Sequence, residues 1–154
     1  MKGLNIQNAD WAVVEQDARH IRTAVFIEEQ GIAAEDEWDD QDAIALHFMV
    51  YDEQKAIATA RLLLNHSVGR VAVLSQYRGQ SVGRILMQQI IFQAKIEQRP
   101  LLKLSAQVHA IHFYESLGFA VQGSEYLDCG IPHVDMAMML DTSDLFNDFE
   151  LLDI

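Results

Sequence analysis

Cysteine is almost missing from this chain, since Cys129 is the single one among 154 residues. One cysteine cannot form an internal disulfide, and no second one stands at metal-ligand spacing, so a disulfide scaffold and a cysteine metal site are excluded. Proline is also rare, with two residues, and there is no repeat or low-complexity tract. We therefore expect one domain over residues 1–140, followed by an acidic and apolar tail over residues 141–154.

Basic residues are scarce, because 11 Lys and Arg stand against 23 Asp and Glu, giving a formal net charge of -12. This charge repels phosphate backbones and anionic lipids, so we expect neither a nucleic-acid nor a membrane partner. No apolar run approaches the roughly 20 residues of a membrane helix, and the first residues lack the apolar stretch of a secretory signal. These absences predict a cytoplasmic protein.

The acidic residues concentrate in a segment at 35–42 and in the tail. The simplest interpretation of both runs is a solvated loop and a solvated tail. The alternative interpretation of the segment at 35–42 is that its negative electrostatic field attracts cationic amines.

Hydrophobic periodicity predicts a mixed α/β order in one domain. Val14, Ala18, Ile21 and Val25 recur at helical spacing, whereas residues 46–51 alternate as in a strand. The predicted elements are a strand at 4–7, a helix ending by Gly31, strands at 46–51, 57–64 and 70–74, a helix from Val82 to before Pro100, a strand at 101–106, a short helix at 109–117 and a final strand at 134–140.

The most informative segment runs from a strand through a glycine turn into a helix, over residues 70–84. Backbone N–H groups at such a turn point outward, and the helix dipole adds partial positive charge, so a diphosphate fits. Arg78 and Arg84 can add formal charge. The spacing matches neither a P-loop nor a dinucleotide fingerprint. An ordinary tight turn is the alternative.

This segment resembles the coenzyme A loop of the GCN5-related N-acetyltransferase (GNAT) superfamily, (Gln/Arg)-x-x-Gly-x-(Gly/Ala). Arg78 and Gly83 match its ends, and Ser81 replaces the middle glycine. Residues 110–119 are similar to a second and more specific signature, Ala-x-x-Phe-Tyr-x-x-x-Gly-Phe, with Tyr114 as its tyrosine.

The resemblance implies an α/β fold with a mixed, mostly antiparallel sheet flanked by helices. The strands of residues 71–73 and 102–106 are expected to be parallel but splayed into a central cleft. Acetyl-CoA is the implied cosubstrate, and Tyr114 the acid that protonates the departing thiolate. The implied cofactor-binding residues are Val71, Ala72 and Val73 for the pantetheine arm, and Arg78, Gly79, Gln80, Ser81, Val82, Gly83 and Arg84 for the pyrophosphate.

Two further segments, residues 22–30 and 130–136, resemble the ElaA-like branch of this superfamily. The first matches an Arg-x-x-Val-Phe-x-x-Glu-Gln helix, and the second matches a Pro-His-x-x-Met motif near the end of the domain. Glyphosate N-acetyltransferases end similarly and use that histidine as the base, which makes His133 the candidate base. By the same resemblance, Arg22 is expected to face the acceptor pocket and hold a substrate carboxylate. Arg61 and His47 also match the branch and are weaker substrate-binding candidates.

A base is chemically reasonable, because a primary amine near pKa 10 is mostly protonated at neutral pH and histidine titrates in a useful range. No covalent enzyme intermediate is required, which leaves Cys129 a weaker nucleophile candidate. His109 and His112 lack a third ligand, so no metal is expected.

Three functions stay open at this point: acetylation of a small-molecule primary amine, acetylation of a protein lysine or N-terminus, and a non-catalytic acyl-CoA-binding module. GNAT domains commonly dimerise, so a homodimer is a further possibility. In the tail, Leu145, Phe149 and Leu152 lie at helical spacing, which predicts a partly helical segment docked on the domain or on a second subunit.

Overall fold

The structure is a computed structural model that describes residues 3–141. The predicted tail helix lies outside these residues, and the division into a domain and a tail stays a prediction. The strands are β1 (Leu4–Ala9), β2 (Leu46–Asp52), β3 (Lys55–Leu62), β4 (Ser67–Val73), β5 (Leu101–Gln107), β6 (Ala120–Asp128) and β7 (Ile131–Met139). The helices are α1 (Trp11–Arg22), α2 (Ala34–Glu37), α3 (Val82–Ile96) and α4 (Ile111–Ser116), with a π-helical segment at Thr23–Glu29 and 3₁₀ turns at Ser75–Tyr77 and Val108–Ala110.

Within residues 3–141 the strands form one sheet in the order β1-β2-β3-β4-β5-β7-β6. All neighbours are antiparallel except β4 and β5, which pair in parallel only where Ser67 meets Lys103 and Val68 meets Leu104. Beyond these pairs the two strands separate. The predicted fold, a mostly antiparallel sheet with a splayed central cleft, is confirmed.

Helices cover both faces of the sheet, because successive strand side chains point to opposite sides. In β2, Phe48 belongs to the core cluster under α3, whereas Met49 belongs to the cluster under α1. The buried residues of the two helices recur at the predicted helical spacing. They are Val82, Leu86, Met87, Ile90 and Ala94 in α3, and Val14, Ala18, Ile21 and Arg22 in α1.

The elements that were not predicted from the sequence are β6, the π-helical segment, the short helix α2 and the 3₁₀ turn at Ser75–Tyr77. Strand β6 is an edge strand with all nine residues exposed, so it has no alternation of buried and polar positions to detect. The π-helical segment continues the amphipathic pattern of α1, which conceals the change in hydrogen bonding. Among residues 3–141, no helix combines the length and apolar character needed to span a bilayer.

Candidate active site

A cleft of about 1090 Å³ opens where β4 and β5 separate. At one side, called here the α3 end, it is lined by the turn from β4 into α3. At the other, called the hairpin end, it is lined by the acidic loop and the β6–β7 turn. The lining residues at the α3 end include Tyr77, Arg78, Gly79, Ser81, Val82, Gly83 and Arg84, and those at the hairpin end include Asp36, Glu37, Arg70, Asp128, Cys129, Ile131 and His133.

The turn at the α3 end presents unpaired backbone donors to the cleft. Gly79 and Ser81 both have left-handed backbone, with φ of 74° and 65°. A serine is strained there, which explains why a glycine stands at this position in the loop pattern. The first α3 hydrogen bond runs from the N–H of Ile85 to the carbonyl of Ser81 at 3.0 Å. The N–H groups before it have no intrahelical partner and suit an anion.

The two arginines of the turn differ in their partners. Arg78 pairs with Glu29, with Nη2 at 2.8 Å from Oε1, and its Nε donates to the carbonyl of Val73 at 3.0 Å. The hydrogen bond from Arg78 lowers the pKa of Glu29. Arg84 donates to the Ser116 hydroxyl at 2.6 Å and forms no ion pair within residues 3–141. Arg84 therefore keeps an uncompensated positive charge at the α3 end.

Most of the predicted cofactor-binding residues lie along this wall. Val71, Ala72 and Val73 line the cleft together with the turn. Gln80 does not line it, and its side chain instead donates to the carbonyl of Gln76 at 3.1 Å. A contact between the Gln80 side chain and the cofactor is not favoured by this arrangement.

Gly83→Val is expected to weaken acetyl-CoA binding by tenfold or more without unfolding the domain. A Cβ at Gly83 would meet the Phe113 ring at 3.5 Å and the Val73 side chain at 3.8 Å, which is ordinary contact. The two γ-methyl groups of valine would project further into this narrow part of the cleft. Calorimetry measures the affinity, with Gly83→Ala as the matched control that keeps near-normal binding. Unchanged affinity of the valine variant would contradict the loop assignment.

A bulge in β4 separates it from β5. The β3–β4 register shifts between Thr59 and Arg61, and Arg70, which is not a glycine, has φ of 51°. The Arg70 side chain compensates this strained backbone through contacts with the acidic loop. Its Nη2 donates to the Glu37 carbonyl at 2.9 Å, and its Nε lies 3.1 Å from Glu37 Oε2. The acidic loop is thus tied to the strand that opens the cleft.

Tyr114 lines the cleft and is largely buried. Its ring packs edge-on against Phe113 and Phe119, at centroid distances of 5.1 and 5.9 Å, and the residue is 9% exposed. Burial raises the pKa of Tyr114 to about 12, so the phenol stays protonated at neutral pH. Among residues 3–141 no side chain or carbonyl accepts its proton in a hydrogen bond.

His133 reaches the cleft from β7 and is also 9% exposed. Its Nδ1 lies 2.7 Å from the carbonyl oxygen of Ile131. A carbonyl only accepts, so Nδ1 carries the proton and the neutral ring keeps its Nε2 lone pair. Tyr126 stacks on the imidazole at 6.2 Å, and the Tyr126 hydroxyl donates to Asp135 at 2.6 Å, which fixes the orientation of both rings.

Arg22 lies in a buried ion cluster and not on the cleft surface. Its guanidinium donates to Glu37 at 2.7 Å and to Asp42 at 2.8 Å, and Trp11 and Trp38 cover it at 5.5 and 4.9 Å. At 1% exposure and outside the cleft lining, it is closed to a substrate carboxylate. The expectation that Arg22 faces the acceptor pocket is therefore corrected: its role here is to hold the acidic loop.

Arg61 and His47 belong to the same cluster and also lie outside the cleft lining. Arg61 Nη1 donates to Asp39 at 2.7 Å and to Asp42 at 2.9 Å. His47 Nε2 donates to the Asp42 carbonyl at 2.9 Å, and burial, its largest influence, lowers its pKa. The prediction that Arg61 and His47 contact the substrate is corrected in the same way, because both side chains are buried and already bonded to residues of the acidic loop.

Asp39→Asn is expected to destabilise the protein at neutral pH, with an effect that shrinks in acid. The hydrogen bond from Arg61, opposed by partial burial and helped by the charges of Arg61 and Arg70, lowers the pKa of Asp39 from 3.8 to about 2. A lowered folded-state pKa gives stability that is present above about pH 4 and lost as the pH falls through about 2. Urea unfolding across this range measures the difference, with Asp40→Asn as control. If the difference in unfolding free energy between the wild type and Asp39→Asn stays constant with pH, the pKa of Asp39 is not lowered by the ion cluster.

Several residues that line the cleft were not predicted from the sequence as part of the site. Gln107 Nε2 donates to Gln30 Oε1 at 2.9 Å, which joins the end of β5 to the segment after the π-helix. Glu37, Arg70 and Phe113 also line the cleft. Gln30 and Phe113 stand in the quoted motifs and could have been named, whereas Glu37 looks like any other acid of its loop.

The family model described as an acetyltransferase (GNAT) domain matches residues 15–140. The chain belongs to the GNAT family. Its relatives include the uncharacterized N-acetyltransferase YjcF of Bacillus subtilis, 34% identical over 79% of this chain and 89% of YjcF, and protein ElaA of Escherichia coli, 32% identical over 76% of this chain and 82% of ElaA.

Solved GNAT structures agree with the fold. The crystal structure of E. coli ElaA has a TM-score of 0.80 at 27% identity, covering 88% of this chain and 99% of that one. An acyl-CoA N-acyltransferase from Pseudomonas aeruginosa has a TM-score of 0.80 at 29% identity, with the same coverage of each chain. The predicted superfamily, its ElaA relatives and the assignment as an acetyltransferase enzyme are confirmed, and GNAT membership implies the use of an acyl-CoA.

Proposed function

We propose that this GNAT protein transfers the acetyl group of acetyl-CoA directly to a primary amine of a small molecule. The observation that carries the proposal is that Tyr114 and His133, both nine-tenths buried, line one cleft with a phenolic proton and an imidazole lone pair unused by the described chain. These are the acid and the base that aminolysis of a thioester needs.

The residues at the α3 end fit acetyl-CoA as a substrate. The backbone donors of the turn and the unpaired charge of Arg84 suit the pyrophosphate, and the gap between β4 and β5 is open along residues 71–73 for the pantetheine arm. The thioester supplies an activated acetyl group. All further chemistry falls to the side chains of the protein.

In the proposed reaction, the amine nitrogen attacks the thioester carbonyl carbon and the carbon–sulfur bond breaks. The proton lost by the amine passes to His133 Nε2, and the thiolate takes the proton of the Tyr114 hydroxyl. The products are an amide and coenzyme A, and no covalent intermediate forms on the protein. The imidazolium of His133 then loses its proton to solvent and the phenolate of Tyr114 takes one up, which restores both groups and balances atoms and charges. Burial of both groups keeps competing water away from the reaction.

The experiment measures coenzyme A release from acetyl-CoA over a panel of small amines and unstructured peptides. We expect amine-dependent release with the wild type and a loss of roughly 100-fold with His133→Ala, the usual range for a base. His66→Ala, at a histidine outside the cleft lining, is the matched control. Release with peptides alone would support a protein acceptor instead, and no release with any acceptor would contradict the proposal.

We also propose a cytoplasmic location and a homodimer. Within residues 3–141, the homodimer is supported by the edge strand β6, whose residues are all exposed and include the apolar side chains of Val121 and Leu127. Light scattering of the full chain and of a chain ending at Leu140 measures the mass. A monomer at all concentrations would contradict the homodimer.

A further inference from the structure

Two glutamine side chains meet inside the cleft. Gln30 follows the π-helical segment and Gln107 ends β5, and both residues are partly buried and line the cleft. Gln107 Nε2 donates to Gln30 Oε1 at 2.9 Å, whereas Gln30 Nε2 lies 3.5 Å from Gln107 Oε1, at the outer limit of hydrogen bonding. An amide oxygen has two lone pairs, so Gln107 Oε1 can accept a further hydrogen bond.

The register of β5 and β7 places Gln107 next to His133. The two residues pair directly in the antiparallel ladder, and the residues adjacent to them, Ala106 and Val134, belong to the core cluster under α3. Side chains of directly opposite residues lie on the same face of a sheet, with Cβ atoms about 5 Å apart. The Gln107 amide and the His133 imidazole therefore lie side by side on the face away from that core.

The π-helical segment sets the direction of Gln30. The N–H of Gln30 donates to the carbonyl of Val25 at 3.1 Å, five residues back, where an α-helix would use Phe26. The extra residue in the turn rotates Gln30 relative to an α-helical path, and its amide meets that of Gln107. Such π-helical turns are frequent at functional sites.

The nitrogen of a primary amine needs two hydrogen-bond acceptors when it attacks the thioester. In its neutral form it has two N–H groups and one lone pair, and the lone pair must point at the carbonyl carbon. His133 Nε2 accepts one hydrogen, as the proposed reaction requires. A second N–H without an acceptor would weaken binding in this partly buried place, and Gln107 Oε1 is the acceptor beside the imidazole.

We propose that Gln107 binds the amine substrate, with its Oε1 accepting the second N–H, and that Gln30 is a positioning residue that orients the Gln107 amide. This assignment rests on the proposed function. It makes the site selective for primary amines, because a neutral secondary amine has one N–H, which His133 takes, and leaves an alkyl group against the Gln107 oxygen. The expected preference for a primary amine over its N-methyl derivative is on the order of tenfold.

The test compares butylamine with N-methylbutylamine through the ratio of their kcat/KM values at saturating acetyl-CoA. We expect a ratio of about ten for the wild type and about one for Gln107→Leu, which has similar size but no acceptor. Gln107→Glu keeps an acceptor oxygen and should preserve the ratio, whereas Gln30→Leu should lower it in part. Gln122→Leu, at an exposed strand residue outside the cleft lining, is the matched control and should leave the ratio unchanged.

Calorimetry with the protein saturated with coenzyme A provides a measurement that needs no turnover. We expect Gln107→Leu to weaken the binding of butylamine severalfold, because one hydrogen bond to the nitrogen is lost. Gln107→Glu and Gln122→Leu should bind butylamine at least as tightly as the wild type. Thermal melts of the same variants check that each one is folded.

The inference is overturned if Gln107→Leu keeps the wild-type ratio and the wild-type affinity for butylamine, or if it lowers kcat/KM equally for both amines. The two proposals fail separately. If butylamine binding depends on Gln107 but no amine is acetylated, the Gln107 site stands and the proposed function fails. If both amines are acetylated and their ratio does not respond to Gln107→Leu, the proposed function stands and the Gln107 site fails.

Discussion

Tyr114→Phe is expected to lower kcat by about 100-fold or more, with little change in the KM for acetyl-CoA. The hydroxyl acts only when negative charge develops on the departing sulfur, so its removal affects the transition state more than the bound ground state. The phenylalanine ring keeps the packing of Tyr114 against Phe113 and Phe119, and the fold should remain intact. Steady-state kinetics with a saturating amine measures both constants.

Tyr51→Phe is the matched control for this prediction. It removes a tyrosine hydroxyl that donates to Asp17 at 2.7 Å, outside the cleft. Its kcat should stay within about twofold of the wild type. Equal turnover by Tyr114→Phe and the wild type would remove Tyr114 from the mechanism.

Arg22→Ala is expected to lower the free energy of unfolding by about 3–5 kcal/mol, the usual cost of removing one partner of a buried ion pair. The substitution leaves Glu37 and Asp42 short of their main cation in a region closed to solvent. It also removes the guanidinium packed between Trp11 and Trp38. Urea unfolding monitored by tryptophan fluorescence measures the change.

Arg19→Ala provides the comparison on the same helix. Arg19 also approaches both tryptophans and pairs with Glu15, but the two side chains of that pair are 44% exposed. Its loss should cost about 1 kcal/mol or less. If Arg22→Ala is no more destabilising than Arg19→Ala, the buried cluster does not hold the loop as described.

The sequence predicts the parts of the fold whose pattern repeats along the chain. The buried face of α3 and the alternation in β2 are visible as periodicity, and both elements are confirmed. Strand β6 could not be found in this way, because an exposed edge strand is held by backbone pairing with β7 and not by a buried face. The sequence likewise gives no sign of the bulge at Arg70, since only its tertiary contacts keep a non-glycine residue in that backbone conformation.

The same distinction between local sequence pattern and tertiary contacts applies to the site. The turn before α3 is local, so its glycines and its position identify the α3 end directly. The prediction that Arg22 faces the acceptor pocket is wrong because a sequence motif identifies a residue but not its tertiary contacts. In the structure, three carboxylates of the acidic loop bind the side chains of Arg22 and Arg61 in the interior. The burial that raises the pKa of Tyr114 is likewise a property of the packed structure.

Direct acetyl transfer to the amine is tested most directly by following the acetyl group itself. The protein is incubated with acetyl-CoA that carries an isotope label in the acetyl group, together with a small amine, and both amine and protein are analysed by mass spectrometry. We predict that the label appears as an amide on the amine, in proportion to the coenzyme A released, with none bound to the protein. Label retained on the protein, or coenzyme A release without labelled amide, would contradict direct transfer to a small-molecule amine.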